Sequence, residues 1–376
     1  MFFRRSVLLA LCVIAPVPMI AQNSIFGVHG IGFPGRPVSG RVRALGGGPA
    51  VFDARSAVNP ATISGLGRLV VTASSGTSLR NYTALDSVVD GLSETRFPYA
   101  FVGTRVRATP LTVSISYSGY AEQSYNNTTY DSTTIRGELM AVEDLVISTG
   151  GVSDIRGALA WRVLPRLSVG GAVHVLSGSR QLTARRRFSN TVYYDLAESE
   201  RVSLSGFGLS AGVMLTASQA FSIGASIRSD TELKSTVDWV VTGSVELPIS
   251  YAAGLFLAPH RAIRWSTTVE RHLWSVADQD LEAAGGSNAF DTWSVGSGVE
   301  LGGGSGAPLR LGARYAQLPF SPSSEQVTEF AFAAGTALGF AGGRASLEAS
   351  IERVMRDGAG AEERAWYLMF ALTVMP

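Results

Sequence analysis

The chain has 376 residues, of which 42 are glycine and only 16% are Asp, Glu, Lys or Arg, and its formal net charge is +1. The hydrophobic residues are scattered, and beyond Cys12 no apolar run approaches the roughly 18 residues of a membrane-spanning helix, so any crossing of a bilayer falls to strands. The basic residues are all arginine except Lys234 and form no clustered face, which argues against a nucleic-acid partner.

At the N-terminus, Arg4 and Arg5 precede the apolar run Val7 to Ile14, about half of what a spanning helix needs. This is the pattern of a signal peptide, residues 1–21, with cleavage expected after Ala21 and a mature chain that starts at Gln22. The only cysteine, Cys12, lies inside the apolar run, and Leu11 before it is too large for a lipoprotein site. The mature chain therefore carries neither disulfide nor thiol chemistry.

From Gln22 to Leu66 the sequence is rich in glycine and proline and shows no sustained alternation, so it is not expected to form wall. Within it run Gly40-Arg41-Val42-Arg43-Ala44-Leu45-Gly46-Gly47-Gly48, then Asp53, then Ser56-Ala57-Val58-Asn59-Pro60-Ala61. Glycine lets backbone approach backbone closely and Asn-Pro starts a turn, so such a stretch can pack compactly inside a lumen. Gly30-Ile31-Gly32-Phe33-Pro34-Gly35 spells a dinucleotide fingerprint, but no strand precedes it, and Pro34 and Pro37 oppose the helix it would have to open.

From residue 67 onward, apolar residues alternate with small or polar ones at period two. Leu111, Val113, Ile115 and Tyr117 interleave with Thr112, Ser114 and Ser116; Ala345, Leu347, Ala349 and Ile351 interleave with Ser346, Glu348, Ser350 and Glu352. One face suits lipid and the other water, and the runs exceed the roughly ten residues that cross a bilayer at a tilt. The chain reads as an all-β, transmembrane antiparallel β-barrel of about fourteen strands, an even number as bacterial barrels require. The candidate strands are 68–80, 97–108, 111–124, 152–164, 167–182, 200–217, 220–236, 245–258, 262–275, 291–303, 308–318, 327–341, 343–356 and 364–375. Short turns at Thr109-Pro110, Pro165-Arg166, Ala258 to Arg261 and Ala341-Gly342 lie on one side; longer segments, 81–96, 125–151, 183–199 and 276–290, lie on the other. Segment 132–147 offers an extra strand or a helical loop piece. Trp161, Trp239, Trp265, Trp274, Trp293 and Trp366 are candidates for an aromatic girdle.

Enzyme motifs occur in contexts that do not suit them. Gly208-Leu209-Ser210-Ala211-Gly212 spells the nucleophile-elbow pattern but sits inside an alternating strand, where the sharp strand-to-helix turn is missing. His29, His174, His260 and His272 are dispersed without ligand spacing, so no metal site and no cofactor is expected, and a hydrolase built on His174 or His272 is the minor alternative. Arg105, Arg107, Arg228, Arg264, Arg310 and Arg314 are expected to face inward, pairing with carboxylates such as Glu270, Glu300, Glu348 and Glu352.

The glycine-rich segment with its Asn59-Pro60-Ala61 turn resembles the N-terminal hatch of the FadL family, outer-membrane transporters of long-chain fatty acids and other hydrophobic compounds. The resemblance continues through Leu167-Ser168-Val169-Gly170, Ser210-Ala211-Gly212-Val213, Ser226-Ile227-Arg228-Ser229, Leu247-Pro248, Trp265 to Ser275, and Leu309 to Tyr315. It departs at the end, where Val374-Met375-Pro376 stands in place of a terminal aromatic. The resemblance implies a monomeric barrel in the bacterial outer membrane, residues 67–376, closed by a hatch, residues 22–66. Gly46, Gly47 and Gly48 would be its close-packed segment and Asn59, Pro60 and Ala61 its turn. A hydrophobic small molecule would diffuse through, touching Ile25 and Phe26 from the hatch side and offering any carboxylate to Arg310 or Arg314. The alternative is a barrel resembling the PorV-like relatives, which share the glycine-rich start and act as binding or scaffold components of secretion machinery.

Overall fold

The computed structural model describes residues 24–376 apart from 85, 86, 108, 191, 284–286 and 303–306. The expected signal peptide therefore lies outside the described residues. Fourteen strands form the wall: β1 (Val70–Ala84), β2 (Ser87–Arg105), β3 (Leu111–Glu122), β4 (Glu138–Leu164), β5 (Leu167–Phe188), β6 (Leu196–Thr216), β7 (Phe221–Asp230), β8 (Ile249–His260), β9 (Ile263–His272), β10 (Thr292–Leu301), β11 (Leu309–Gln317), β12 (Thr328–Phe340), β13 (Ala345–Gly358) and β14 (Ala361–Val374). Each pairs antiparallel with the next, and β14 pairs back onto β1 from Val374↔Val71 to Ala361↔Ala84, so the sheet closes on itself. Closure removes the free edges that lipid could not satisfy.

The alternation read from sequence sets which way each side chain faces. On β13, Leu347, Ile351 and Met355 are exposed, while Glu348, Ser350, Glu352 and Arg356 are buried. The same inversion runs round the ring: Leu79, Ile115, Leu159, Phe207, Ile223, Leu311, Phe332 and Leu368 all point outward. An apolar outside and a polar inside is the solution for a barrel in lipid, where water is on the inner face. The chain is an outer-membrane barrel of this kind. Trp161, Trp293 and Trp366 are exposed, but Trp274 departs from the expected girdle: it is buried edge-on against Phe320, with the ring centroids 5.0 Å apart.

The four short turns read from sequence lie at one end, although the two-residue turn Ala359-Gly360 between β13 and β14 is at the other, and the longer connections are largely strand. β4, β5 and β6 are 27, 22 and 21 residues long, about twice what a tilted crossing needs. Strand Tyr125–Ile135 pairs with the outer part of β4, from Tyr125↔Ser148 to Ile135↔Glu138, so the ambiguous stretch is a hairpin. A second hairpin, Leu233–Val237 with Val240–Val245, leans on β6 through Lys234↔Ser205.

One seam differs from the rest. β2 and β3 pair only between Tyr99↔Ser118 and Arg105↔Thr112. Beyond that point Phe33 and Pro34 pair with Glu122 and Ala121 of β3, whose opposite edge is taken by β4, and the Gly35 N–H donates to the Tyr120 carbonyl at 2.8 Å. Among the described residues the N-terminal segment thus occupies β3 where β2 leaves it.

Candidate functional site within the barrel

Residues 24–66 touch the inner faces of strands right round the ring, from β4–β6 to β8–β14, and must therefore lie within it. Local chemistry shapes the segment. Ser39 caps the helix Gly40–Ala44 by accepting from the Val42 N–H at 3.3 Å, and Leu45 ends it. Gly46 follows at φ +61°, a conformation open to glycine, and pushes against the Ala313 backbone; in return Gly312 of β11 has no room for a Cβ against Leu45 and Gly46. Gly48 meets Ser266, and its carbonyl accepts the Thr268 hydroxyl at 2.6 Å, while Gly47 faces Gly296.

Asn59 connects three parts of the molecule. Its Oδ1 accepts from the Ala61 N–H at 3.0 Å, capping the 3₁₀ turn Pro60–Gly65, and its Nδ2 donates to the carbonyls of Val51 at 3.1 Å and of Val213 in β6 at 3.2 Å. Pro60 and Ala61, both buried, lie against Gly170 of β5.

Charge fixes the segment as well. Arg36 and Arg43 reach Glu352 at 2.7 and 3.0 Å, Arg41 reaches Glu300 at 2.9 Å, and Arg55 reaches Glu348 at 3.0 Å. Buried carboxylates of this kind are tolerated only with such partners. Asp53, within the segment, is pushed up by burial, but Arg55, Arg41, the Arg55 N–H and the Ser39 hydroxyl outweigh burial and hold it below the usual carboxylate range. The barrel carboxylates that Arg36, Arg41, Arg43 and Arg55 meet are far away in sequence, and periodicity carried no sign of these pairings.

The other residues singled out from sequence are distributed as follows. Arg310 lies between Glu300 at 3.0 Å and Glu348 at 3.6 Å; Arg314 pairs with Glu329 and lies 3.7 Å from Glu352. Ile25 donates its N–H to Glu363 at 3.0 Å and packs with Phe26, Leu318 and Val327. Arg264 meets Glu300 at 3.1 Å, whereas Arg105 lies by its turn, donating to the Thr109 carbonyl at 3.1 Å.

Above the segment lies a cavity of about 720 Å³. Phe33, Tyr120, Tyr251 and Trp274 border it together with Arg36, Arg228, Arg314, Glu270 and Glu352, and it reaches β3 from Tyr117 to Glu122, across the point where β2 parts from that strand, and β1 at Gly76 to Ser78. Of Ile25, Phe26, Arg310 and Arg314, only Arg314 is among its lining residues. Among the described residues no three His, Cys, Asp or Glu side chains gather as a metal would require.

On the wall beside the cavity, three adjacent strands bring together a group that spacing did not reveal. His174 of β5 is fully buried; its Nδ1 lies 2.9 and 3.0 Å from the Asp154 carboxylate of β4, and its Nε2 lies 2.9 Å from Ser210 Oγ of β6. Arg228 of β7 bridges Asp154 at 2.7 Å and Asp230 at 2.8 Å. The sequence signal was the Gly208 to Gly212 motif, set aside because it lies in a strand; cross-strand pairing supplies the neighbours that a turn would otherwise bring.

Comparison with solved structures places the fold. The CymD monoaromatic hydrocarbon channel matches with a TM-score of 0.61 at 14% identity, over 91% of this chain and 98% of that one. The Ralstonia pickettii toluene transporter TbuX matches with a TM-score of 0.63 at 14% identity, over 90% and 98%. A Pseudomonas aeruginosa FadL homologue matches with a TM-score of 0.60 at 11% identity, over 92% and 98%. The barrel is thus FadL-like in fold, in line with the resemblance read from sequence. A search of curated proteins found no match. The sequence model of the BamG family matches residues 3–245, more than half of the chain, and the chain belongs to the BamG family.

Proposed function

We propose that this barrel lets small hydrophobic molecules, long-chain fatty acids among them, cross the outer membrane passively. The observation that carries the reading is the cavity of about 720 Å³, bordered by aromatic side chains and reaching the seam where β2 parts from β3. Its volume suits one small-molecule ligand. An aliphatic chain gains roughly 0.8 kcal/mol per buried CH₂, so an apolar patch extracts it from lipid, while the polar remainder keeps it from binding too tightly to leave. Residues 24–66 act as the hatch, with Gly46 to Gly48 and Asn59 to Ala61 seating it and Arg314 facing the ligand. The similar structures named as hydrocarbon and toluene transporters support the reading through shared fold. Native mass spectrometry of the barrel, with and without added fatty acid or toluene, tests it: a bound mass lost on removing residues 24–65 is expected, and a barrel empty under every condition overturns it.

A second reading, a scaffold that binds protein partners, draws on the tall sheet formed by β4, β5, β6 and Tyr125–Ile135. Tyr130, Leu139, Tyr194 and Leu196 are strongly exposed there, where no bilayer covers them. The same spectra carry its signature, a polypeptide mass in place of a lipid one.

A further inference from the structure

We propose that Ser210, His174 and Asp154 form a nucleophilic site in the barrel wall that cleaves small uncharged esters reaching it from the lumen. The strand register builds the site. Arg156, His174 and Gly208 share one cross-strand row and Ala158, Ala172 and Ser210 the next, so Asp154, His174 and Ser210 fall on a diagonal across β4, β5 and β6, all facing inward.

The hydrogen bonds set the protons. Asp154 already accepts from Arg228 at 2.7 Å and is a carboxylate, so His174 Nδ1 carries its proton and donates to it. Nε2 is then the acceptor, and the Ser210 hydroxyl donates to it at 2.9 Å. This is the polarity a general base needs to take a proton from a nucleophile.

Access and charge are also present. Ser210 lies directly opposite Arg228 and Gly212 opposite Ser226 in the β6–β7 ladder, and Ser226, Arg228 and Asp154 all border the cavity. The cavity therefore reaches the level of the serine, where Asn59 of the N-terminal segment presses on Gly212. Arg156, His174's partner across the β4–β5 ladder, is buried with no hydrogen-bond partner for any of its three guanidinium nitrogens. That guanidinium, with no hydrogen bond to hold it elsewhere, is suited to an oxyanion developing beside His174. The aromatic side chains around a cavity of about 720 Å³ set the substrate class as a small ester with an apolar acyl or alcohol part.

In the first step Ser210 Oγ bonds to the ester carbonyl carbon as its proton passes to Nε2. The carbon–oxygen bond to the alcohol then breaks, and the alcohol leaves with that proton. Water, giving a proton to Nε2, attacks the acyl carbon; the acid departs and the proton returns to Ser210 Oγ. Asp154 is a positioning residue, holding the tautomer and the ring.

A serine that only satisfies a buried histidine is inert, and reactivity separates the two roles. The full-length barrel, purified in detergent, is treated with a fluorophosphonate and separately assayed with p-nitrophenyl butyrate. The expected result is an adduct on the peptide containing Ser210 and hydrolysis that Ser210→Ala abolishes, with the variant still migrating as a folded barrel in unboiled gels. Asp154→Asn is expected to lower the rate on the order of 10⁴-fold while leaving KM nearly unchanged. A wild-type barrel with no adduct at Ser210, or a Ser210→Ala barrel hydrolysing ester at the wild-type rate, overturns the proposal.

Discussion

At the scale of single residues, a few contacts decide whether the N-terminal segment stays seated. A Cβ at Gly212 would fall on Asn59 Oδ1, the atom that caps the Pro60–Gly65 turn. Gly212→Ala is expected to displace Asn59 and leave buried carbonyls unsatisfied, at about 1–3 kcal/mol for each. Faster proteolysis within residues 24–66, with the barrel still resistant, is the result to look for; unchanged cleavage would mean that the turn is not what holds the segment. Asp53 adds a pH dependence. Because its folded carboxyl lies below the usual range, its stabilisation is complete above the unfolded carboxylate pKa and is lost as pH falls through the lower folded value. Pepsin cleavage of the segment should therefore rise on the acid side, and Asp53→Asn should flatten that rise while loosening the segment at neutral pH. The Asn-Pro turn was legible in the sequence because its geometry is local. The partners of Arg36, Arg41, Arg43 and Arg55 were not, because each lies some three hundred residues away on strands whose register no local pattern specifies.

Strands were the most legible elements, since alternation fixes face and a one-residue slip would turn every lipid-facing side chain inward. Leu347 and Ile351 outward with Glu348 and Glu352 inward is the arrangement the alternation implies. Legibility ended where both faces meet water: Tyr125–Ile135 carries polar residues on either side, and Leu139, Val142, Leu145 and Ile147 in the outer half of β4 fit a strand or a helical piece alike. β13 also holds the segment in place, through Glu352 against Arg36, Arg43 and Arg314. Glu352→Gln leaves three arginines short of a buried counter-charge, and breaking such a pair costs about 3–5 kcal/mol. In planar bilayers the variant is expected to show frequent open events where the wild-type barrel is quiet; identical traces would place the seal elsewhere than at this cluster.

For the whole molecule, the two proposed functions use different parts of the barrel. Passage of a small molecule depends on the lumen, the β2–β3 seam and the cavity, which reaches Ser124, Gly150 and Gly151 at the foot of the tall sheet. A partner would meet the tall sheet, whose strands β4, β5 and β6 continue long after the ring has closed. That sheet is a modular addition: β4 residues 142–148 pair with β5 residues 182–188 and 139–148 with Tyr125–Thr134, so the unit rests on itself. Excising residues 126–147 together with 182–198, each replaced by a two-residue turn, removes it without touching Asp154, His174, Ser210 or the ion pairs of the N-terminal segment. The trimmed barrel is expected to fold, to migrate as a closed barrel, and to bind small hydrophobic molecules as the full chain does. If a protein partner copurifies with the full chain and not with the trimmed one, the sheet is its docking surface. If ligand binding disappears instead, the sheet forms part of the ligand's path, and the separation of lumen from sheet fails.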